Sequence, residues 1–393
     1  MVSTSGAMTA STFQLFLIAV LAATLIEELD IGRWQLGMLG AVNTGVGALC
    51  APRLGRVADR LGARRSMVLV FVVSGVGLLA TAAAASFAGL VAASAVSGVP
   101  QGASNPVTNK LIAEQVPGPQ QSPVMGIKQS GVQLAVFLAG ATMPSAAATF
   151  GWRWAVTIAG LVTLLLGGLV ALRRDHPAVP EAGSTTEGGD AAEVDPDRPS
   201  TRGFVNQVAV YAFLMGMCAG GVTRFYPLYA NEVLGYSEAV AGVSVSIAGV
   251  TAIVARIVWA QAVNTRVGLR LALAVMALGS VATIAALFAA ESGAPWLLWP
   301  AVVGLAFTVA AWNVVAMLAV IRSVPRQHAG GATGVVLLGF LGGLTIAAPL
   351  VGYSIDVLDS YRPAWLLLAA LALAAAAVVA GGAVRRPTPL PGR

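Results

Sequence analysis

Long apolar runs, separated by short stretches with charged residues, Pro or Gly, make up most of this 393-residue chain. We place twelve such runs, at 10–27, 34–54, 66–85, 87–112, 123–146, 153–172, 206–229, 238–262, 270–290, 296–321, 332–355 and 363–383. A bilayer-spanning helix needs about 20 apolar residues, and the runs lack the polar–apolar alternation of barrel strands. The pattern therefore predicts an all-α polytopic membrane protein with twelve transmembrane helices.

Composition supports this prediction. Hydrophobic residues make up 57% of the chain and charged residues 10%, whereas soluble domains carry about 25% charged residues. The first run resembles a signal peptide in length, but Glu27, Glu28 and Asp30 stand where a small-residue cleavage site is expected. We interpret it as the first membrane span.

The distribution of basic residues predicts the orientation. With the N-terminus inside, sixteen of the 23 Lys and Arg residues lie on the cytoplasmic side, three lie outside and four lie within spans. This bias predicts that both termini are cytoplasmic in a bacterial-type inner membrane. It also accounts for the net charge of +6, and no basic stripe with interleaved aromatic residues indicates nucleic-acid binding.

A polar segment and an internal repeat divide the chain into two halves. Residues 173–203 lack any apolar run and predict a flexible cytoplasmic linker between six-helix bundles at 1–172 and 204–393. At an offset of 208 residues the halves share Asn105/Asn313, Pro117/Pro325, Gly126/Gly334 and Gly131/Gly339. Two parallel repeats are a transporter architecture in which the substrate site lies between the halves near the midplane.

The segment "GRVADRLGARR" (55–65), between the second and third runs, resembles the signature loop of the major facilitator superfamily. The matching positions are Gly55, Asp59, Arg60, Gly62, Arg64 and Arg65. The resemblance implies two pseudo-symmetric six-helix bundles, alternating access, and a gating role for this loop in which Asp59 latches the cytoplasmic side. The alternative is that its arginines only anchor the topology. The loop recurs in the second half as "QAVNTRVGLRL" (261–271). There Gln261 and Thr265 replace the Gly and the Asp, so we expect a weaker latch or none.

Four cations lie within the predicted spans, namely Lys110, Lys128, Arg224 and Arg256, and no carboxylate lies in mid-span. A charge at the bilayer centre costs about 2.5–3.5 kcal/mol on insertion scales and usually serves function. A cationic pathway without counter-ions favours an anionic substrate. We interpret Arg256 as structural.

The candidate substrate-binding residues are the other three cations together with amides and aromatic residues near them. They are Arg224, Lys128, Lys110, Gln101, Asn105, Asn109, Gln129, Gln133, Tyr226, Trp312 and Asn313. Each has a structural alternative. The lysines can snorkel to the interface or, for Lys110, pair with Glu114 one turn away. The amides can join helices, and Trp312 can be a packing residue.

These features predict a secondary active or facilitative transporter that moves a small anionic organic solute by alternating access, either alone or together with a proton or a counter-substrate. The alternative is a proton-coupled multidrug or metabolite exporter of the same superfamily. Ser94 occupies the place of an arginine that the superfamily often links to proton movement, which disfavours the exporter. No nucleotide-binding motif, metal cluster or catalytic set is found in the sequence. We therefore expect a monomer that is neither an enzyme nor dependent on a cofactor.

Overall fold

The computed structural model describes residues 2–116, 118–172, 199–265, 267–324 and 326–381. Its α-helices are α1 (Val2–Val20), α2 (Ala22–Leu29), α3 (Arg33–Leu61), α4 (Ala63–Ala83), α5 (Phe87–Gln115), α6 (Gly118–Phe150), α7 (Trp152–Leu172), α8 (Pro199–Glu232), α9 (Glu238–Thr265), α10 (Leu269–Ala290), α11 (Leu298–Phe307), α12 (Trp312–Ser323), α13 (Arg326–Leu358) and α14 (Arg362–Gly381). The described residues contain no strand, so the all-α prediction is confirmed.

The described part of each predicted apolar run lies, to within two residues, in one of these helices or in a short series of them. Nine segments of the described chain are long and apolar enough to cross a membrane, and the bent pair α1–α2, with an angle of 68°, forms a tenth. The more polar helices α3 and α5 have 29 residues each. At 1.5 Å per residue each is about 43 Å long, which exceeds the bilayer core. The result is a multi-pass helical membrane fold.

Turns alternate between two ends of the molecule. One end carries the turn before Arg33, and we call it the Arg33 end; the other carries the turn at Gly62, and we call it the Gly62 end. At Gly62 the backbone has φ 81° and ψ 157° between α3 and α4, a region that is essentially restricted to glycine. Gly62 therefore allows a tight turn within the signature loop.

The two halves, α1–α7 and α8–α14, share packing mainly at the Arg33 end. One large apolar cluster contains residues of both halves, such as Leu25, Leu36, Tyr229 and Val351. At the Gly62 end the described residues form two separate clusters, one around Phe71 in the first half and one around Trp312 in the second. The halves are therefore joined at one end and have independent cores at the other.

The predicted linker of 173–203 lies mostly outside the described residues. Helix α8 begins at Pro199, so the last residues of the predicted linker are helical. The domain boundaries at 172 and 204 stay predictions.

The tenth span is interrupted near its middle. Helix α11 ends at Phe307, residues 308–311 form turns, and α12 begins at Trp312. Two donors from the neighbouring α9 bind the carbonyl groups that the interruption frees. Trp259 Nε1 donates to Phe307 O at 2.7 Å, and Arg256 Nη2 donates to Ala310 O at 3.3 Å.

Candidate functional site

Lys128 on α6 is buried, with 2% of its surface exposed. Its ammonium group donates to the side-chain oxygens of two amides on α5, Asn105 Oδ1 at 3.0 Å and Asn109 Oδ1 at 2.5 Å. The two asparagines are one helical turn apart, so their side chains lie on the same face of α5. Within the part of the chain that the structure describes, no carboxylate pairs with Lys128.

The face of α5 that carries these amides is open. Helix α5 packs against α1, α3, α4 and α6, all in its own half, yet Asn105 and Asn109 remain exposed. Gln101, one turn further along the same face, is half-buried, and its Oε1 has no partner. Because polar amides and a nearby ammonium group are unfavourable against lipid, this face is expected to border the space between the halves.

Lys110 has a different environment from Lys128. It is half-buried, and its ammonium group donates to the carbonyl of Ala58 on α3 at 3.1 Å, next to the signature loop. The described bonds of the two lysines therefore go to different partners. Its predicted alternative partner, Glu114, has a side chain outside the described residues.

Arg224 crosses from the second half to the first. It lies on α8 with 7% of its surface exposed, and its Nη1 donates to Leu15 O on α1 at 2.5 Å. A Cβ atom at Gly40 on α3 would lie 2.5 Å from Arg224 Nη2, so glycine provides the space that the guanidinium occupies. The sequence analysis did not identify Gly40, because no pattern along α3 distinguishes it from the other glycines there.

Gln133 and Arg256 form a second contact between the halves. Gln133 on α6 is buried. With its amide oriented so that Oε1 faces the guanidinium of Arg256, it accepts from Nη1 at 3.1 Å and Nη2 at 3.0 Å. The Nε atom of Arg256 is buried and has no acceptor. We had interpreted Arg256 as structural from its position alone, and the sequence gives no sign of its pairing with Gln133.

Two of the remaining candidates are at least partly accessible, and two lie in the core. Gln129 is exposed on α6, and Asn313 is half-buried with an unpartnered Oδ1 at the start of α12. Tyr226 is 3% exposed. Trp312 is 2% exposed and packs edge-to-face on Tyr211 and Phe340, with ring centroids 5.8 and 5.3 Å apart.

An ion-pair cluster joins the halves at the Arg33 end. Arg33 donates to both carboxylate oxygens of Glu232, with Nε–Oε2 3.1 Å and Nη2–Oε1 3.0 Å, and its Nη1 lies 3.4 Å from Asp356 Oδ1. Asp356 also accepts from the backbone N–H groups of Arg33 and Trp34 at 3.1 and 2.8 Å, so a residue of α13 caps α3. Burial alone would lower the pKa of Arg33, but the Glu232 carboxylate raises it overall.

The signature loop is described only in part. Arg60 and Arg65 are exposed, and Arg64 Nη2 donates to Ala171 O at 2.6 Å within its own half. A Cβ at Gly55 would lie 3.8 Å from Pro106, an ordinary contact. The side chain of Asp59 lies outside the described residues, so the latch stays a prediction.

The family model described as Major Facilitator Superfamily matches residues 3–335. The chain belongs to the major facilitator superfamily. Solved structures of this fold class agree over nearly the whole chain. One is a bacterial homologue of the human lysosomal transporter Spinster, inward-facing and occupied, with a TM-score of 0.78 at 15% identity over 96% of this chain and 95% of that one. Another is a D-xylose–proton symporter, with a TM-score of 0.74 at 17% identity over the same shares. At these identities the likeness shows the fold alone.

Curated relatives of this superfamily member match over shorter segments. They include a D-xylose transporter of Levilactobacillus brevis, 30% identical over 37% of this chain and 32% of that protein. A hexuronate transporter of Escherichia coli (strain K12) is 27% identical over 41% of this chain and 37% of that protein. A gallate transporter of Pseudomonas putida is 30% identical over 39% and 34%. The matched segments thus cover about a third of each relative.

Proposed function

We propose that this superfamily member is a carrier that moves a small organic anion across the membrane by rocking of its two halves. The observation that carries the proposal is Lys128, a buried ammonium group bound to two neutral amide oxygens on the open face of α5. An ammonium group in a membrane span is costly unless it is paired, and a bound anion provides the missing charge.

Arg224 supports the same conclusion from the second half. Its guanidinium is buried, and among the described residues the acceptor that it binds is a neutral carbonyl, Leu15 O. Since Arg224 lies on α8 and Lys128 on α6, each half contributes a cation that has no carboxylate partner among the described residues. Rocking of the halves would change the distance between these charges, and a bound anion reduces their repulsion.

The relatives agree with a small, oxygen-rich organic substrate. Two of them are named as transporters of hexuronate and of gallate, both of which are carboxylates, and one as a transporter of the neutral sugar D-xylose.

The proposal is tested by transport into proteoliposomes. Purified protein is reconstituted, and uptake is measured for radiolabelled D-glucuronate and gallate, for neutral D-xylose and for the lipophilic cation tetraphenylphosphonium. We expect uptake or counterflow of at least one carboxylate and none of the cation. Transport of the cation without any carboxylate would instead support the exporter alternative.

A further inference from the structure

Arg256 is surrounded by neutral acceptors. Its Nη atoms bind Gln133 Oε1 and Ala310 O, and its enclosed Nε binds nothing. Within the described part of the chain no carboxylate pairs with it. Arg256 is half-buried with its Nε atom enclosed. Removing a guanidinium group from water without a counter-charge is costly, so packing alone does not explain an arginine at this place.

The internal repeat shows that the fold does not require this pair. Next to the signature loop, where residues 55–65 match 261–271 at an offset of 206, the position equivalent to Arg256 in the first half is Cys50. At the offset of 208 that holds further along the chain, the position equivalent to Gln133 in the second half is Leu341. An apolar or small residue is therefore accepted at the same point of the repeated unit. Arg256 and Gln133 are features of this chain's pathway rather than of the repeated unit.

The geometry of the contact resembles half of a carboxylate complex. A guanidinium binds a carboxylate through two parallel N–H···O bonds, commonly from Nε and one Nη atom. Here a single amide oxygen lies between Nη1 and Nη2, and Nε, which would complete the fork, has no acceptor.

We propose that Arg256 is a second anion-binding group of the carrier, that the Gln133 amide oxygen occupies it in the empty protein, and that a substrate carboxylate displaces this amide. The inference rests on the proposed function and deepens it, because it defines the ligand as a planar carboxylate rather than a spherical anion such as chloride. Displacement also has a mechanical consequence. Gln133 belongs to the first half and Arg256 to the second, so substrate binding exchanges a contact between the halves for a contact with the ligand.

The interruption of the tenth span connects this exchange to a helix. Arg256 also binds Ala310 O, which belongs to the four-residue turn between α11 and α12. A carboxylate that draws the guanidinium toward itself weakens this bond and leaves Trp259 as the remaining described donor from α9 to the interruption. Discontinuous helices at substrate sites are a recurring feature of transporters.

The test compares anion affinity among four full-length proteins: wild type, Gln133→Glu, Gln133→Leu and Arg256→Gln. Thermal unfolding in detergent is followed while D-glucuronate, gallate, sodium chloride or D-xylose is titrated. Gln133→Glu supplies a permanent carboxylate to Arg256, so we expect apparent affinity for the carboxylates to fall at least tenfold. Gln133→Leu leaves no amide for the substrate to displace, so we expect it to bind the carboxylates at least as tightly as wild type. Arg256→Gln is expected to lower the apparent affinity for the carboxylates at least tenfold. If Arg256→Gln does not fold, Arg256→Lys is used in its place, because lysine keeps the charge but cannot form two parallel bonds to a carboxylate.

The outcomes separate this inference from the proposed function. If a carboxylate stabilises the wild type and all the variants with affinities within twofold, the Arg256 site is excluded while the carrier of organic anions remains. If no carboxylate stabilises the wild type and none is transported, both proposals fail. If chloride stabilises the protein as strongly as the carboxylates do, the proposal that Arg256 recognises a planar carboxylate is wrong. A tenfold loss in Gln133→Glu without loss in Gln133→Leu supports displacement.

Discussion

A single glycine sets the junction between α3 and α4. Gly62 has φ 81° and ψ 157°, and a Cβ atom there would meet no atom within 4 Å. Any effect of a larger residue is therefore a backbone effect. The equivalent glycine of the second half, Gly268, has φ −64° and ψ 143°, which any residue adopts.

Gly62→Ala is expected to destabilise the protein by about 1–3 kcal/mol, the cost of a non-glycine residue in this region of φ and ψ. The matched variant Gly268→Ala is expected to be neutral or slightly stabilising, since it restricts the unfolded chain without strain. Unfolding midpoints in a detergent–SDS titration compare the two. Equal destabilisation in both variants would show that the turn conformation at Gly62 is not the cause.

For single residues, the sequence predicted which side chains belong to the site better than it predicted which of them contact each other. Lys128, Asn105 and Asn109 were selected as charged or polar groups in apolar runs, and the structure brings all three into contact. Lys110 and Lys128 are both candidate binding residues, but their described bonds differ, because Lys110 turns toward Ala58 on α3 while Lys128 turns toward the amides of α5. The contact of Gln133 with Arg256 depends on how the halves pack, and local sequence carries no information about that.

The interruption between α11 and α12 depends on donors from another helix. Trp259 Nε1 binds Phe307 O at 2.7 Å. Carbonyl groups freed in a membrane span need a partner because lipid offers none. The sequence did not reveal this interruption, since the run from 296 to 321 is apolar throughout and contains no Pro or Gly at the break itself. The apolar runs located the helices but not all of their ends. Helix α1 begins at Val2 rather than at residue 10, and α3 ends at Leu61 rather than at residue 54, because a helix continues beyond the apolar run that lipid burial requires.

Trp259→Phe removes this donor and keeps most of the ring. We expect a loss of about 1–3 kcal/mol, the cost of leaving a buried acceptor unsatisfied, measured as a lower unfolding midpoint. Trp154→Phe is the matched control, since Trp154 is 66% exposed on the surface of α7. A loss in Trp154→Phe as large as in Trp259→Phe would indicate a general effect of removing an indole group.

For the whole molecule, the ion pairs at the Arg33 end hold the two halves together. Arg33 belongs to the first half, and Glu232 and Asp356 belong to the second. Thr24 on α2 adds a further bond, because its hydroxyl donates to the carboxylate of Glu238 on α9. At the other end the described halves have separate cores. The structure thus corresponds to a state closed at the Arg33 end.

Arg33→Gln is expected to destabilise this closed state by about 1–2 kcal/mol, since the lost bonds involve charged but partly exposed groups. Electron–electron double resonance measures the effect between spin labels at Ala85→Cys and Ser292→Cys, in a protein without Cys50 and Cys218. These exposed turns lie at the Arg33 end, one in each half. We expect a larger population at long distances.

Arg362→Gln is the control for this measurement, because the Arg362–Glu291 pair, at 3.2 Å, lies entirely within the second half. It is expected to leave the distance distribution unchanged. The interpretation of the Arg33 cluster as a closing device is wrong if Arg33→Gln gives the wild-type distribution, or if Arg362→Gln produces the same shift.

The most direct test of the whole account is the rate of carboxylate uptake into proteoliposomes by wild type, Lys128→Met and Lys110→Met. The account predicts that Lys128→Met loses more than tenfold in uptake, because it removes the charge bound to Asn105 and Asn109 while keeping a side chain of similar length. Lys110→Met is predicted to stay within threefold of wild type, since the described bond of Lys110 is to Ala58 of its own half. Wild-type uptake by Lys128→Met would contradict the anion-carrier account.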